Sequence, residues 1–399
     1  MTTRRIGIGV LSLALAAALW VPSMHLFFDA RASPEGRRES ARELFAAQLA
    51  TLEDEAQRDA MRDRMRGANA EWDFMGRTFL VLALANEALA DPRHEARYLG
   101  LIDELLEETL ALEAEHGQTH FLMPYVHGSP FVDESARSVF VDGEIALMLA
   151  ARQRVRASER WREPLAERVA IVAAQMQRGP ALSAESYPDE CWTFCNTVAL
   201  AAIRTSDSVT GEDHGALLHG WVRMARARLI DRDTGLLVSS YRHDGAHLDG
   251  PEGSSIFLAA HMLSLINPGF AEDQYRRARR ELGASFAGFG WAREWPASWD
   301  GPADIDSGPV VPIVGASAGA SGMALLGAAS FDDEPWLRAL HRSLALAAFP
   351  VREGDRFRYA ASNQVGDAVL LYSLVSGPLF EAVGAAPAEA LHADAGGAR

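Results

Sequence analysis

The stretch Tyr187 to Leu200, YPDECWTFCNTVAL, carries both cysteines of a 399-residue chain, Cys191 and Cys195, four residues apart. A disulfide across so short a loop removes little chain entropy, and on a helix the two Cβ vectors run parallel rather than converge. A structural zinc site needs four ligands, and neither a CxxC pair nor a nearby histidine is present. Two readings remain. In one, Pro188 begins a helix with Asp189 and Glu190 in its first turn, both cysteines share a face near its N-terminus, and the dipole favours thiolate. Trp192 and Phe194 then add apolar wall. In the other, the thiols only pack, because free cysteine is among the most buried residue types. The residues alone leave that choice open.

Other chemistry is excluded or weak. All 38 basic residues are arginine, so Schiff-base, P-loop and kinase-type sites, which need a lysine amine, are ruled out. Net charge −16 argues against a nucleic-acid partner. Gly315-Ala-Ser317-Ala-Gly319 matches a nucleophile elbow, but Pro309 and Pro312 spoil the strand it requires, and small residues that let helices pack closely explain it better. His116 and His120 have zincin spacing without the activating glutamate. Asp304 and Asp306, in a tryptophan-rich loop, are the best pair of carboxylates for a glycosidase, though surface carboxylates are far commoner than catalytic ones.

The elements that must position these groups are helical. Apolar residues recur at helix spacing over 38–52, 73–89, 95–115, 138–154, 159–177, 191–205, 213–229, 254–266, 272–286, 319–329, 334–348 and 366–379, and strand alternation is nearly absent. A dozen helices joined by short turns predict an all-α fold, an (α/α)6 toroid of helical hairpins. A solenoid is the rival, but no 34- or 40-residue repeat is visible. Long loops would gather at one mouth of such a ring, bringing Tyr125, the YPDEC segment, the Tyr241 to Glu252 loop and the Trp291 to Asp306 loop together. Ahead of the ring, Ile6 to Phe28 is an apolar run after Arg4 and Arg5, about 34 Å long as a helix and enough for a bilayer core. Pro22 and the Ala30-Arg31-Ala32 triplet fit a cleaved signal instead. Either form exports the body, as a membrane-anchored protein facing the periplasm or exterior or as a free periplasmic one. The expected division is 1–32 signal or transmembrane anchor, 33–385 barrel and 386–399 small-residue tail.

In order along the chain, Asp91-Pro92, Gly143 with Leu147-Met148, Pro188-Asp189, Cys195-Asn196, Val198-Ala199, Leu229-Ile230-Asp231, Gly235, Ser240-Tyr241, Gly245 and Gly366-Asp367 resemble the linalool dehydratase/isomerase family. The resemblance runs from about Phe74 to Leu379. It implies an exported (α/α)6 barrel that adds or removes water on terpenoid alcohols, or isomerises them, without a cofactor. Cys195 matches one of the family's two active-site cysteines; the other falls at Ser186 and the active-site histidine at Glu144, while Asp73 lies in the region of a catalytic aspartate. These departures imply altered chemistry in a shared cavity. A carboxyl such as Glu144, desolvated there, would have a raised pKa and serve as acid.

The expected catalytic set is therefore Cys195, Glu144 and Asp73, with Trp72, Tyr125, Asp189, Cys191, Trp192, Asn196, Tyr241 and Asp306 lining the substrate. The partners expected are a small apolar molecule, the membrane through an uncleaved N-terminal helix, and further copies of the chain in a homo-oligomer. Two other classes compete: a carbohydrate-processing enzyme on the same ring, and a non-catalytic membrane-tethered binding protein.

Overall fold

Helices that are apolar on every side have to be buried on every side. Six are: Ala70–Ala90, Val139–Val155, Thr193–Thr210, Gly253–Leu263, Ala318–Ser330 and Gln364–Val375. Each packs on the next, and the last packs back on the first, which closes a ring. Six helices with a single buried stripe form the outer layer: Pro34–Leu52, Glu95–His116, Glu159–Arg178, Gly215–Arg228, Pro268–Glu281 and Glu334–Ala347. This is the (α/α)6 toroid, seen here in a computed structural model that describes residues 2–301 and 307–384. Inner and outer helices alternate along the chain, so the inner ones all run in one sense and their N-termini share one rim.

Close packing sets the ring's dimensions where it matters. A Cβ on Gly143 would stand 3.1 Å from the Ala199 Cβ, so the Val139–Val155 and Thr193–Thr210 helices touch backbone to backbone. The opposite end of the ring is stoppered by the helix Pro378–Gly384, which packs on three inner helices with Leu379 and Val383 fully buried. The Leu379 N–H donates to Asn86 Oδ1 (3.0 Å), and Phe380 stacks on His261 with ring centroids 4.5 Å apart.

Two local expectations are corrected, and one helix is added to those expected. The helix expected from residue 191 starts at Thr193, because Cys191 and Trp192 are spent on a short strand paired with Tyr241 and Ser240. The helix expected over 272–286 runs Pro268–Glu281, and Gly283–Phe286 then turns back on Phe289–Ala292 through Ala287 and Gly288, whose φ angles are 48° and 84°. The helix Glu55–Ala68 had no apolar stripe to announce it; the Asp54 side chain caps it, and the Arg62–Glu108 pair ties it to the outer layer.

Before the ring, the helix Thr2–Ser23 belongs to an apolar segment long enough to cross a membrane, and it is exposed all round. The residues after it fold onto the body. Asp29 accepts from Arg338 and from Arg342 Nε (2.8 Å), Phe28 packs on Phe289 with centroids 5.9 Å apart, and Ala32 is fully buried.

Candidate active site

The N-terminal halves of three neighbouring inner helices bring the candidate groups together. Glu144, in the second turn of Val139–Val155, is fully buried and accepts from the Thr78 hydroxyl of the adjacent helix (2.6 Å). Burial pushes its carboxyl up to about 8; the Thr78 bond opposes that, and the nearby charge of Glu71 adds to it. At neutral pH Glu144 is therefore an acid that still holds its proton.

Cys195, in the first turn of Thr193–Thr210, is 6% exposed and feels the charges of Glu144, Glu71 and Glu190. Burial is the main cause that drives its thiol well above the ordinary value, the Glu71 and Glu190 carboxylates push the same way, as Glu144 does once it ionises, and a hydrogen bond with Ser186 opposes them. The position where the second family cysteine was expected thus holds a hydroxyl that touches the first. Of the two readings left open for the pair, thiolate is disfavoured for both cysteines. Cys191 lies outside the helix, buried beside the Glu185, Asp189 and Glu190 carboxylates, and is raised in the same way. The two thiols are free of any disulfide.

Sequence reasoning missed Glu71 and Tyr187. Glu71 sits in the first turn of Ala70–Ala90, where the helix dipole suits a negative charge, and it accepts from the Tyr187 hydroxyl. The same phenol oxygen accepts from the Met123 N–H (2.8 Å), and its ring stacks on Tyr125 with centroids 4.3 Å apart. Burial and then the Glu71 charge raise the Tyr187 phenol, so it acts as a donor. The Trp192 indole donates to Glu190 Oε1 (2.5 Å) on the same rim.

Other expected residues have different employment. Asp73 is about 200° round its helix from Glu71. It is buried against Arg77 (3.4 Å), which also reaches Glu108 of the outer layer. Burial raises its carboxyl, and Arg77 partly offsets that. Asp189, at φ 56°, takes the His243 N–H (3.2 Å) and Arg242, pinning one loop to another. Asn196 grips both backbone groups of Ala184 (2.9 and 3.0 Å) and the Trp192 carbonyl (3.0 Å). The Tyr241 hydroxyl is bonded to Ser183 Oγ (2.7 Å) in the wall behind the cysteines. Trp72 is half-buried and Tyr125 exposed at the rim. Asp304 and Asp306 lie outside the described residues. Ser317, the centre of the G-x-S-x-G match, caps a helix by accepting from Ala320 N (3.1 Å) and donates to Glu294. Among the described residues no group of three or more His, Cys, Asp or Glu side chains is arranged to hold a metal ion.

A solved structure shares this architecture. The unsaturated glucuronyl hydrolase of Bacillus sp. GL1, responsible for the degradation of glycosaminoglycan, is 12% identical over 77% of this chain and 86% of its own, with a TM-score of 0.51. A family 105 glycoside hydrolase of C. acetobutylicum ATCC 824 is 12% identical over 86% of this chain and 99% of its own, with a TM-score of 0.48. At such identities the likeness is one of fold. No curated protein matches the chain. The sequence profile of the linalool dehydratase/isomerase family does match, over residues 142–364, which takes in Glu144, Ser186, Cys195 and more than half of the chain. The chain belongs to the linalool dehydratase/isomerase family.

Proposed function

We propose that this protein is a cofactor-free lyase or isomerase that removes, adds or moves water on a small apolar alcohol or alkene. The observation that carries this reading is Glu144, a fully buried carboxyl that keeps its proton to about pH 8 and stands within electrostatic reach of Cys195 and Glu71. Dehydration needs a donor for the departing hydroxyl and an acceptor for a proton on the next carbon. Glu144 protonates the hydroxyl and the C–O bond breaks, releasing water. Glu71 takes the proton from carbon, and that C–H electron pair becomes the double bond. Transfer of the proton from Glu71 to Glu144 restores the starting state. Run backwards at a different carbon, the same steps move the hydroxyl. The neutral Cys195 thiol and Ser186 hydroxyl orient the oxygen, while Tyr187 holds Glu71.

The convergence of an acid and a thiol favours an enzyme over a non-catalytic binding protein. The sugar-processing neighbours share the ring, and the carboxylates expected for that alternative, Asp304 and Asp306, lie outside the described residues. For location, the burial of Ala32 and the pairing of Asp29 with Arg338 and Arg342 make the expected cleavage segment part of the body. That supports a retained anchor, with Arg4 and Arg5 on the cytoplasmic side and the ring outside.

The test is to incubate the purified protein with a panel of small terpenoid alcohols and alkenes and analyse the products by gas chromatography. Conversion by the wild type and none by Glu144→Gln, with the thermal transition of the fold retained, is expected; equal conversion by both would discard the assignment.

A further inference from the structure

Tyr125, Val132 and Leu248 apart, the large apolar side chains that the body leaves exposed fall in one group. Phe286, at the tip of the Gly283–Ala292 hairpin, is 67% exposed, Ile313 is 94% exposed and Phe349 is 65% exposed, with Val311, Val314 and Leu346 also open. Single exposed apolar residues are ordinary, but a group of them marks a contact surface.

Contacts tie these residues to the foot of the N-terminal helix. His25 is so close to the hairpin tip that a Cβ on Gly288 would lie 2.4 Å from its ring. Arg342, which grips Asp29, also donates to the Gly288 carbonyl (3.1 Å). Leu346 lies one turn beyond Arg342 on the same helix, and Phe349 follows just after that helix ends at Ala347. On the other side, the Trp291 indole of the hairpin donates to the Val314 carbonyl (3.0 Å), which joins the 311–314 loop to the group. Leu26 and Phe27, at the foot itself, are exposed as well. The surface is thus continuous with a helix that is apolar and exposed on all sides.

We propose that this surface rests in the bilayer that holds the N-terminal helix, so that the rim of the ring is fed from the lipid phase. The proposal rests on the reading of that helix as a retained anchor. Its occupant is the acyl and headgroup boundary of a phospholipid membrane, where phenylalanine and isoleucine bury favourably and tryptophan settles at the edge. The surface also leads inward. Val311 pairs with Ala316, Ser317 donates to Glu294, and the Glu294 carbonyl accepts from Gly253 N (2.7 Å), so the loop is one short strand away from the N-termini of two inner helices. An apolar substrate that partitions into lipid would meet the rim without crossing water.

The experiment uses the full chain reconstituted in phosphatidylcholine vesicles. Single cysteines at Phe286, Ile313 and Phe349 are labelled with an environment-sensitive fluorophore; the native thiols are buried and stay unlabelled. Leu13→Cys reports on the anchor, and Glu163→Cys, exposed on an outer helix across the ring, is the aqueous control. Lipids carrying a nitroxide high on the acyl chain should quench and blue-shift the labels at 286, 313 and 349 while leaving 163 unchanged. Quenching at 13 alone would overturn the docking surface and leave the anchor standing. No quenching at 13 would overturn both. Labels shielded in detergent as protein concentration rises, with no lipid quenching, would assign the patch to contact between copies and overturn the proposal.

Discussion

The Thr78 hydroxyl donates to the Glu144 carboxyl over 2.6 Å, so one inner helix holds the acid carried by its neighbour. Thr78→Val removes the one contact that favours the ionised form. The Glu144 pKa should rise further, moving the alkaline limb of the activity profile upward, at a stability cost of about 1 kcal/mol for the lost bond. An unmoved limb would take Glu144 out of the rate.

Glu144 also links folding to pH. Its folded value, about 8, lies above its ordinary 4.5, so the native state binds the proton more tightly than the unfolded chain. This contribution is complete below about pH 4.5 and is lost as pH rises through about 8, falling by up to about 5 kcal/mol over the window. Denaturant titrations across it should show stability declining with pH in the wild type and a flatter line in Glu144→Gln.

Cys195 is a neutral thiol, and its chemistry should say so. Alkylation by iodoacetamide at pH 7.5 should be slow in the native protein and count two thiols only after denaturation. Cys195→Ala should lower turnover by on the order of 10²-fold, with Cys195→Ser keeping part of it, since the group donates rather than attacks. Fast labelling of the native protein would mark a thiolate and contradict this role.

The contact of Gly143 with Ala199 is testable by volume. Gly143→Val forces the two helices apart and should cost about 1–3 kcal/mol in a denaturant titration, with activity falling alongside because Glu144 moves with the backbone. A variant of unchanged stability would show the contact to be slack.

Asn196→Ala leaves the buried Ala184 amide and carbonyl without partners. The expected loss is about 1–3 kcal/mol, with earlier proteolysis in the 184–192 loop.

The ring was legible because its inner helices are apolar on all sides and its outer ones on one, a pattern that survives in sequence. Glu144 and Cys195 could be named because the family resemblance carried them. Glu71 was not found: it lies two residues before Asp73, and only the helix phase, fixed by Asn69 at the cap, decides which of the two turns inward. Of the two readings left open for the thiols, thiolate is disfavoured because a helix dipole offers a fraction of a charge, while burial and neighbouring acidic groups act together against ionisation. The strand at Cys191 was hidden because its partner, Tyr241, is fifty residues away.

The short helix seated against Asn86 packs across three inner helices at the end of the ring away from their N-termini. A substrate bound for Glu144 and Cys195 would therefore approach from the N-terminal rim, where the loops of this fold gather.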